Sequence, residues 1–193
     1  MTSTTRLAAV VLSGGGGVRL GGVDKASIEV DGTTLLEHAL AAVAAADEVV
    51  VVGPEVPTSR PVTWTREQPP GGGPAAGLLT GLDALAVHPD LVCALAVDMP
   101  RVSARTVARL VGALTAETDA DGACLLDAGQ RKQWLAAVYR YGALRAVRPR
   151  DRETEHGLAL RRLVLPLHIV PVAALADEAR DVDTWQDLVD LRD

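Results

Sequence analysis

The chain has 193 residues, which suits one domain (1–193) with a hydrophobic core of its own. Its formal charge of −6 and its aromatic content of 3% argue against a basic nucleic-acid surface and against a base-stacking platform for single strands. No apolar stretch approaches the ~20 residues that a bilayer-spanning helix needs, and no signal-peptide pattern opens the sequence, so we expect a cytoplasmic protein without nucleic-acid or membrane partners.

Short apolar runs alternate with helical patterns along the chain. In chain order, the patterns predict a strand at 7–13, a helix at 34–46, strands at 48–53 and 61–65, a helix at 75–87, a strand at 91–97, a helix at 103–117, strands at 122–127, 134–139 and 167–170, and a last helix from 183. Thr34 and Glu37 have the spacing of a capping box, and Ser103 is placed to cap its helix. Asp183 is placed to start the last helix, with Gln186 three residues later.

The predicted strands indicate a buried sheet, because their apolar residues run on instead of alternating. The β-α-β order with short connections predicts an α/β fold of three layers around a doubly wound, mostly parallel sheet. Ligands of such sheets bind beyond the carboxyl ends of the strands. Two of these ends carry informative residues, the glycines after Leu12 and Asp98 after the strand at 91–97. Cys93 and Cys124 fall inside apolar runs and are predicted to be buried thiols.

The segment LSGGGGVRLGGVDK, residues 12–25, has the composition of a phosphate-binding loop. Its six glycines let backbone N–H groups approach an anion closely, and Arg19 and Lys25 supply positive charge. The spacing does not fit a P-loop, because Lys25 is preceded by Asp and followed by Ala. It does not fit the dinucleotide fingerprint either, because Arg19 or Leu20 stands where the last glycine is required. A plain flexible turn is the alternative, which the entropy cost of six glycines disfavours.

Three later motifs make a family resemblance specific: Gly73-Pro74-Ala75-Ala76-Gly77, Val97-Asp98-Met99-Pro100 and Asp181-Val182-Asp183-Thr184. With the glycine loop, they resemble in order and spacing the marks of the molybdenum cofactor guanylyltransferases. The signature of that family reads Leu-Ala-Gly-Gly, a short gap, Arg-Met-Gly, a short gap and Lys, from which Ser13 and Leu20 depart. The resemblance implies a Rossmann-like, GT-A-like nucleotidyltransferase domain. It also implies transfer of GMP from GTP to the terminal phosphate of molybdenum-bound molybdopterin, with release of pyrophosphate.

The resemblance also assigns roles along the glycine loop. Leu12, Ser13 and Gly14 would contact the base and the sugar of the nucleotide. Gly15 to Arg19 would enclose the β- and γ-phosphates, and Lys25 would neutralise phosphate charge during the transfer. The implied nucleotide-binding residues are Leu12, Ser13, Gly14, Gly15, Lys25 and Asp98, and the implied catalytic residues are Arg19, Lys25 and Asp98.

Asp98 is the implied ligand of Mg²⁺. From the residues alone, a plain turn residue before Pro100 is an equally good interpretation, since aspartate favours turns. Its place after a buried strand and the resemblance favour the metal, because Mg²⁺ takes one or two carboxylates together with phosphates. Asp181 and Asp183 are further candidates, after Asp98, for a carboxylate near the metal or the acceptor phosphate. Asp183 is also a good helix cap.

The turn of Gly73, Pro74 and Gly77 would approach the guanine or the sugar. The resemblance implies an acidic residue just upstream that helps to select guanine, and the nearest candidate is Glu67. On the acceptor side, Trp134 either stacks on the pterin or belongs to the core. The charged stretch 145–155 is either a solvated loop or a site for the pterin phosphate, through its arginines.

GTP and a molybdopterin-type acceptor are the implied substrates, and other molybdenum cofactor enzymes are candidate partners. Alternatives of the same class are a cytidylyltransferase for the same pterin and an enzyme for sugar or isoprenoid phosphates. An alternative of another class is a non-catalytic nucleotide-binding module on the same fold. A nicotinamide oxidoreductase is disfavoured by the failed dinucleotide spacing.

Overall fold

The structure, a computed structural model, describes residues 5–14, 24–182 and 184–190. Within these ranges the strands are β1 (Leu7–Leu12), β2 (Glu29–Val30), β3 (Thr33–Thr34), β4 (Glu48–Val52), β5 (Thr63–Thr65), β6 (Leu91–Ala96), β7 (Gly122–Leu126), β8 (Lys132–Arg140) and β9 (Ile169–Ala173). The helices are α1 (Leu35–Ala42), α2 (Gly73–Asp83), α3 (Ala104–Ala116), α4 (Tyr141–Ala146), α5 (Leu160–Val164) and α6 (Trp185–Asp190). Single 3-10 turns lie at Lys25–Ser27 and Arg152–Glu155.

Seven of the strands form one sheet in the order β5-β4-β1-β6-β8-β7-β9, and β2 pairs with β3 in a small hairpin. Within the part of the chain that the structure describes, only β8 runs antiparallel to its sheet neighbours, β6 and β7. The five residues between β7 and β8 are too few for the crossover that a parallel pair needs, so β8 must return antiparallel. The predicted mostly parallel sheet is confirmed.

Helices cover both faces of the sheet and divide the core in two. Helices α1, α3 and α6 pack on one face, and α2, α4 and α5 pack on the other. Strand β1 serves both cores, since Val11 faces the first and Val10 the second, and neither is exposed. This two-sided burial is the physical reason for the continuous apolar runs and confirms the predicted three-layer α/β fold.

The helix boundaries differ from the prediction where local chemistry decides them. Helix α2 begins at Gly73, because Pro74 suits a first turn whose N–H groups have no partner in the helix. It ends at Asp83, four residues earlier than predicted, and the backbone N–H of Ala86 donates to the Glu48 carboxylate instead of continuing the helix. Helix α1 also ends four residues early, where the guanidinium of Arg60 donates to the carbonyl oxygens of the following turn.

The predicted caps are partly confirmed. The Thr34 hydroxyl accepts from the backbone N–H of Glu37, but the Glu37 carboxylate binds Ser59 instead of closing a capping box. At α3 the box does close, between Ser103 and Thr106. The threonine hydroxyl there replaces the glutamate of the usual motif.

The last helix starts later than predicted. Helix α6 begins at Trp185, and the hydroxyl of Thr184 accepts from the backbone N–H of Asp187. The Asp187 carboxylate accepts in return from the backbone N–H of Thr184, at 2.7 Å. Thr184 therefore caps this helix, and the predicted cap Asp183 lies outside the described residues.

The order of the strands creates a crevice. Strand β1 lies between β4 and β6, and the chain passes from β1 through β4 to β5 before it returns to β6 on the other side. The carboxyl ends of these parallel strands lie at one edge of the sheet, where the strand order reverses.

Among the described residues, no helix is long and apolar enough to cross a bilayer.

We predict that both cysteine thiols are unreactive in the native protein. Burial raises the pKa of Cys93 to about 12 and that of Cys124 to about 11, so little thiolate is present at pH 8. A thiol-specific reagent at that pH should label the folded chain at least about a hundredfold more slowly than the urea-unfolded chain, which serves as the control. Rapid labelling of one thiol in the folded chain would contradict the burial.

Candidate functional site

A cavity of about 620 Å³ lies beyond the carboxyl ends of β1, β4 and β6, and its size is typical of a small-molecule site. The structure brings eight of the predicted site residues to its wall: Leu12, Ser13, Gly14, Lys25, Glu67, Gly73, Pro74 and Asp98. Gly77 lies behind this wall, and Asp181 is an exposed residue next to one that binds the Asp98 turn. Gly15, Arg19 and Asp183 lie outside the described residues.

The sequence prediction missed other parts of the wall. Gly53 and Pro54 follow β4, Arg66 follows β5, and Leu135 comes from β8. The rule that drew attention to Leu12 and Asp98 applies equally to the ends of β4 and β5. Applied to every predicted strand, it would have found the first three of these residues. The rule does not extend to Leu135, because this residue lies within β8 and not after the end of a strand.

The base of the glycine loop is fixed to the sheet through its backbone. The N–H groups of Ser13 and Gly14 both donate to the carbonyl oxygen of Val52, at 3.0 and 3.1 Å. The Ser13 hydroxyl donates to the same oxygen, and Val97 donates to the Leu12 carbonyl. These groups are thus engaged by neighbouring strands, which holds the loop's first residues rigidly at the cavity wall.

Lys25 and Asp98 form an ion pair at the cavity. The Lys25 ammonium lies 3.1 Å from Oδ2 of Asp98, although 73 residues separate the two in sequence. Their side chains are only 13% and 27% exposed, respectively. Lys25 lies in a 3-10 turn that Asp24 caps. Asp98 is the second residue after the end of β6 and follows Val97. A cation and a carboxylate side by side can receive a phosphate and a metal ion respectively.

The surroundings of Asp98 fit a metal that is shared with a substrate. Among the described residues, no group of three or more His, Cys, Asp and Glu side chains is placed to hold a metal ion. A fully protein-bound Zn²⁺ or Ca²⁺ site is therefore not built from these residues. Mg²⁺ bound to one carboxylate, waters and phosphate oxygens is compatible with Asp98 on the wall of an open cavity.

The Gly73–Gly77 turn packs tightly against Glu67. Gly73 has a φ of +85°, a conformation that glycine adopts at little cost. A Cβ on Gly77 would lie 2.8 Å from Oε1 of Glu67 and 3.3 Å from the side chain of Leu12, so a larger residue there would displace the Glu67 carboxylate. Oε2 of Glu67 accepts from the backbone N–H of Gly72 at 2.7 Å. The turn therefore fixes a carboxylate at the cavity wall.

Strand β8 contains a bulge beside the cavity. Its register against β7 shifts, so that residues 134–136 have no counterpart on β7. Trp134 and Leu135 both pack on the core that α2 covers, and Leu135 lines the cavity. The Trp134 ring is half-buried, with the Lys132 ammonium 5.5 Å from its centroid, and its carbonyl accepts from the Tyr139 hydroxyl. Trp134 is thus partly core, with one charged neighbour over its ring.

The charged stretch 145–155 is not simply a solvated loop. Arg148 is only 10% exposed, and its guanidinium donates to both Asp83 and Glu155. Burial alone would raise the pKa of Asp83, but its hydrogen bonds and charge interactions with Arg148, Arg152 and Arg145 outweigh burial and lower that pKa. Arg148 is therefore used to pack this stretch against α2.

The packing of the stretch 145–155 against α2 places the next two residues of the chain, His156 and Gly157, at the rim of the cavity. The backbone N–H of Gly157 donates to the carbonyl oxygen of Gly72 at 2.8 Å. The exposed ring of His156 lies 3.4 Å from the position of a Cβ on Gly72. Through these contacts, the residues after the stretch support Gly72, whose backbone N–H donates to Glu67.

The chain matches known proteins in sequence. Residues 9–168 match the family model described as the MobA-like NTP transferase domain. The chain is 37% identical over 117 residues to a molybdenum cofactor guanylyltransferase of Acidiphilium cryptum and 34% identical over 124 residues to one of Bradyrhizobium. These matches cover 56% and 60% of the chain, and it spans 58% of the length of each relative.

Solved structures share the fold at lower identity. Molybdopterin-guanine dinucleotide biosynthesis protein A of Archaeoglobus fulgidus superposes with a TM-score of 0.72 at 18% identity, covering 95% of both chains. A 2-C-methyl-D-erythritol 4-phosphate cytidylyltransferase of Thermus thermophilus superposes with a TM-score of 0.65 at 22% identity, covering 96% of both chains. Because proteins named for different nucleotides share this fold, the fold alone does not identify a nucleotide base. The family model, which covers most of the chain, identifies the family. The chain belongs to the family of the MobA-like NTP transferase domain.

Proposed function

We propose that the chain transfers GMP from GTP to the terminal phosphate of molybdenum-bound molybdopterin, and that it does so in the cytoplasm. The observation that carries the proposal is the Lys25–Asp98 ion pair on the wall of the cavity at the reversal of the strand order. Membership of the family and the names of the two curated relatives support the choice of nucleotide and acceptor. Other molybdenum cofactor enzymes are the partners that would receive the product.

In this reaction, an oxygen of the acceptor phosphate attacks the α-phosphorus of GTP. The bond between the α-phosphorus and the bridging oxygen to the β-phosphate breaks, and pyrophosphate leaves with the electron pair. A phosphate acceptor is already ionised near pH 7, so no general base is required. The protein contributes position and charge, as is usual in phosphoryl and nucleotidyl transfer.

Lys25 and Asp98 divide the charges of the reaction between them. The Lys25 ammonium would turn from Asp98 to the triphosphate and offset its negative charge as the leaving group forms. Asp98 would hold Mg²⁺, which when bound screens the phosphate oxygens and stabilises the charge that develops on them. Asp181 and Asp183 would act near the metal or the acceptor phosphate.

The glycine loop would bind the triphosphate. Because the N–H groups of Ser13 and Gly14 are engaged by Val52, the donors to phosphate come from Gly15 onwards, together with Arg19. Leu12, Ser13 and Gly14 would then contribute to the wall beside the base and sugar without giving up their sheet contacts. Gly73 and Pro74 would form the opposite wall, and Gly77 would support it from behind.

Glu67 would select guanine, which presents two N–H donors on one edge where adenine presents one. Replacing it with Gln keeps an oxygen for the Gly72 N–H but removes the charge that a guanine edge would meet. The preference for GTP over ATP in kcat/KM should fall about tenfold to a hundredfold. The exposed Glu29, changed to Gln, is the matched control. An unchanged preference in Glu67→Gln would remove Glu67 from base recognition.

The proposed function is tested by pyrophosphate release from GTP, CTP, ATP and UTP with Mg²⁺ and molybdenum-bound molybdopterin. Release with GTP alone supports the proposal, and release with CTP favours the cytidylyltransferase alternative. Folded protein that binds GTP but releases no pyrophosphate would indicate a non-catalytic nucleotide-binding module. Acceptors with sugar or isoprenoid phosphates, run in parallel, separate the remaining members of the same class.

A further inference from the structure

The segment that follows β9, residues 174–182, runs back across the molecule to the Asp98 turn, and we call it the C-terminal strap. At its start, the backbone N–H of Ala174 donates to the carbonyl oxygen of Leu126. At its end, the backbone N–H of Val182 donates to the carbonyl oxygen of Asp98 at 2.8 Å. Val182 is fully buried in the core between the sheet and α3. The strap therefore contacts the main chain of the residue proposed to hold the metal.

Glu178 fastens the middle of the strap to α3. Its carboxylate accepts from the guanidinium of Arg109 at 2.6 and 2.9 Å and from the hydroxyl of Thr106 at 2.7 Å. Its second oxygen also accepts from the backbone N–H of Leu175 at 2.8 Å, which closes a turn of the strap on itself. The Glu178 side chain is only 12% exposed, and Arg109 also donates to the Ala173 carbonyl. One carboxylate thus joins α3 to the strap through charge-assisted hydrogen bonds.

Thr106 continues these contacts back to Asp98 along the chain. Its hydroxyl accepts from the backbone N–H of Ser103, the residue that caps α3. Between Ser103 and Asp98 lies a short turn in which Val102 donates to the carbonyl oxygen of Met99. Two of the routes away from Asp98 therefore lead to Glu178. One route runs along the turn and the α3 cap, and the other crosses the Val182 hydrogen bond and runs along the strap.

We propose that Glu178 is a positioning residue that sets the Asp98 carboxylate for the metal-bound triphosphate, although it lies outside the cavity wall. The inference rests on the proposed function, because it takes Asp98 as the metal ligand. The closed path of contacts holds the Asp98 carbonyl and the turn after it, and leaves the Asp98 side chain at the cavity beside Lys25. Residues that orient a metal ligand typically change metal affinity about tenfold to a hundredfold when they are replaced.

The test compares binding of GTP to the intact protein with and without Mg²⁺, by calorimetry, in Glu178→Ala and Glu178→Gln. We expect Glu178→Ala to raise the Kd of the magnesium complex about tenfold and to leave the Kd of metal-free GTP within about twofold. Glu178→Gln should lie between this variant and the wild type, because its amide oxygen still accepts a hydrogen bond. Arg105→Ala, at an exposed position of the same helix, should match the wild type in both.

A second pair of variants separates position from stability. Thr106→Ser retains the hydroxyl and should keep wild-type magnesium-dependent binding, whereas Thr106→Val, of similar volume, should weaken it as Glu178→Ala does. Lower melting temperatures with an unchanged ratio of the two dissociation constants would overturn the inference and leave Glu178 a purely structural residue. A wild-type protein that binds GTP equally with and without Mg²⁺ would instead overturn the role of Asp98 in the proposed function, and this inference with it.

Discussion

Replacing Asp98 with asparagine is expected to lower the kcat of GMP transfer about a thousandfold, the largest single effect that we predict. Asparagine keeps the shape of the side chain and an oxygen that can accept from Lys25, but it removes the negative charge that would hold Mg²⁺. Backbone contacts of the Asp98 turn, including the bond from Val182, do not involve the carboxylate and should persist. The loss should therefore reflect the metal and not the fold.

Steady-state pyrophosphate release over a range of Mg²⁺ concentrations measures this effect. The control is Asp31→Asn, which also removes a carboxylate from an ion pair, that of Asp31 with Arg101, but at an exposed surface position. Such surface pairs contribute at most about 1 kcal/mol to stability, so the control should keep wild-type activity. Turnover of Asp98→Asn within a few-fold of the control at saturating Mg²⁺ would show that Asp98 is a turn residue, the other interpretation that its sequence context allowed.

The fold could be predicted from the sequence to the extent that burial imposes a pattern. Strands β1, β4 and β6 are buried on both faces, so their continuous apolar runs were visible and their positions were predicted closely. Helices α4 and α5 span six and five residues, which is too short for a helical period to stand out. The antiparallel direction of β8 follows from the short connection before it, which the spacing of the predicted strands at 122–127 and 134–139 already contained, although the apolar pattern of β8 itself carries no direction.

The site could be predicted where a residue follows directly on a strand. Asp98 satisfies this rule after β6, whereas Lys25 was indicated by the spacing of the glycine loop. The structure places the two side chains 3.1 Å apart. Glu178 could not be found in this way, because its partners on α3 lie 69 and 72 residues earlier in the chain. Its importance arises from a tertiary contact between the strap and α3, and single-sequence patterns describe only neighbours along the chain. The same holds for Leu135 on the cavity wall.

Replacing Lys25 with methionine is expected to lower kcat/KM for GTP about a hundredfold to a thousandfold, because the cation proposed to offset triphosphate charge is lost. Methionine keeps most of the side-chain volume at a position that is only 13% exposed, so the change concerns charge more than packing. The measurement is pyrophosphate release at saturating Mg²⁺, with Lys132→Met, a lysine outside the cavity wall, as the control. An increase in KM alone would mean that Lys25 binds the ground state and the transition state equally.

The double variant Asp98→Asn with Lys25→Met decides whether the two residues act as a unit. If Lys25 and the metal held by Asp98 stabilise the same phosphate oxygens, each single change already removes much of what the other supports. The double variant should then lose less activity than the product of the two single losses, as is found for residues that act together. A strictly multiplicative loss would indicate that the ion pair seen at 3.1 Å is only a resting contact and that the two side chains serve separate steps.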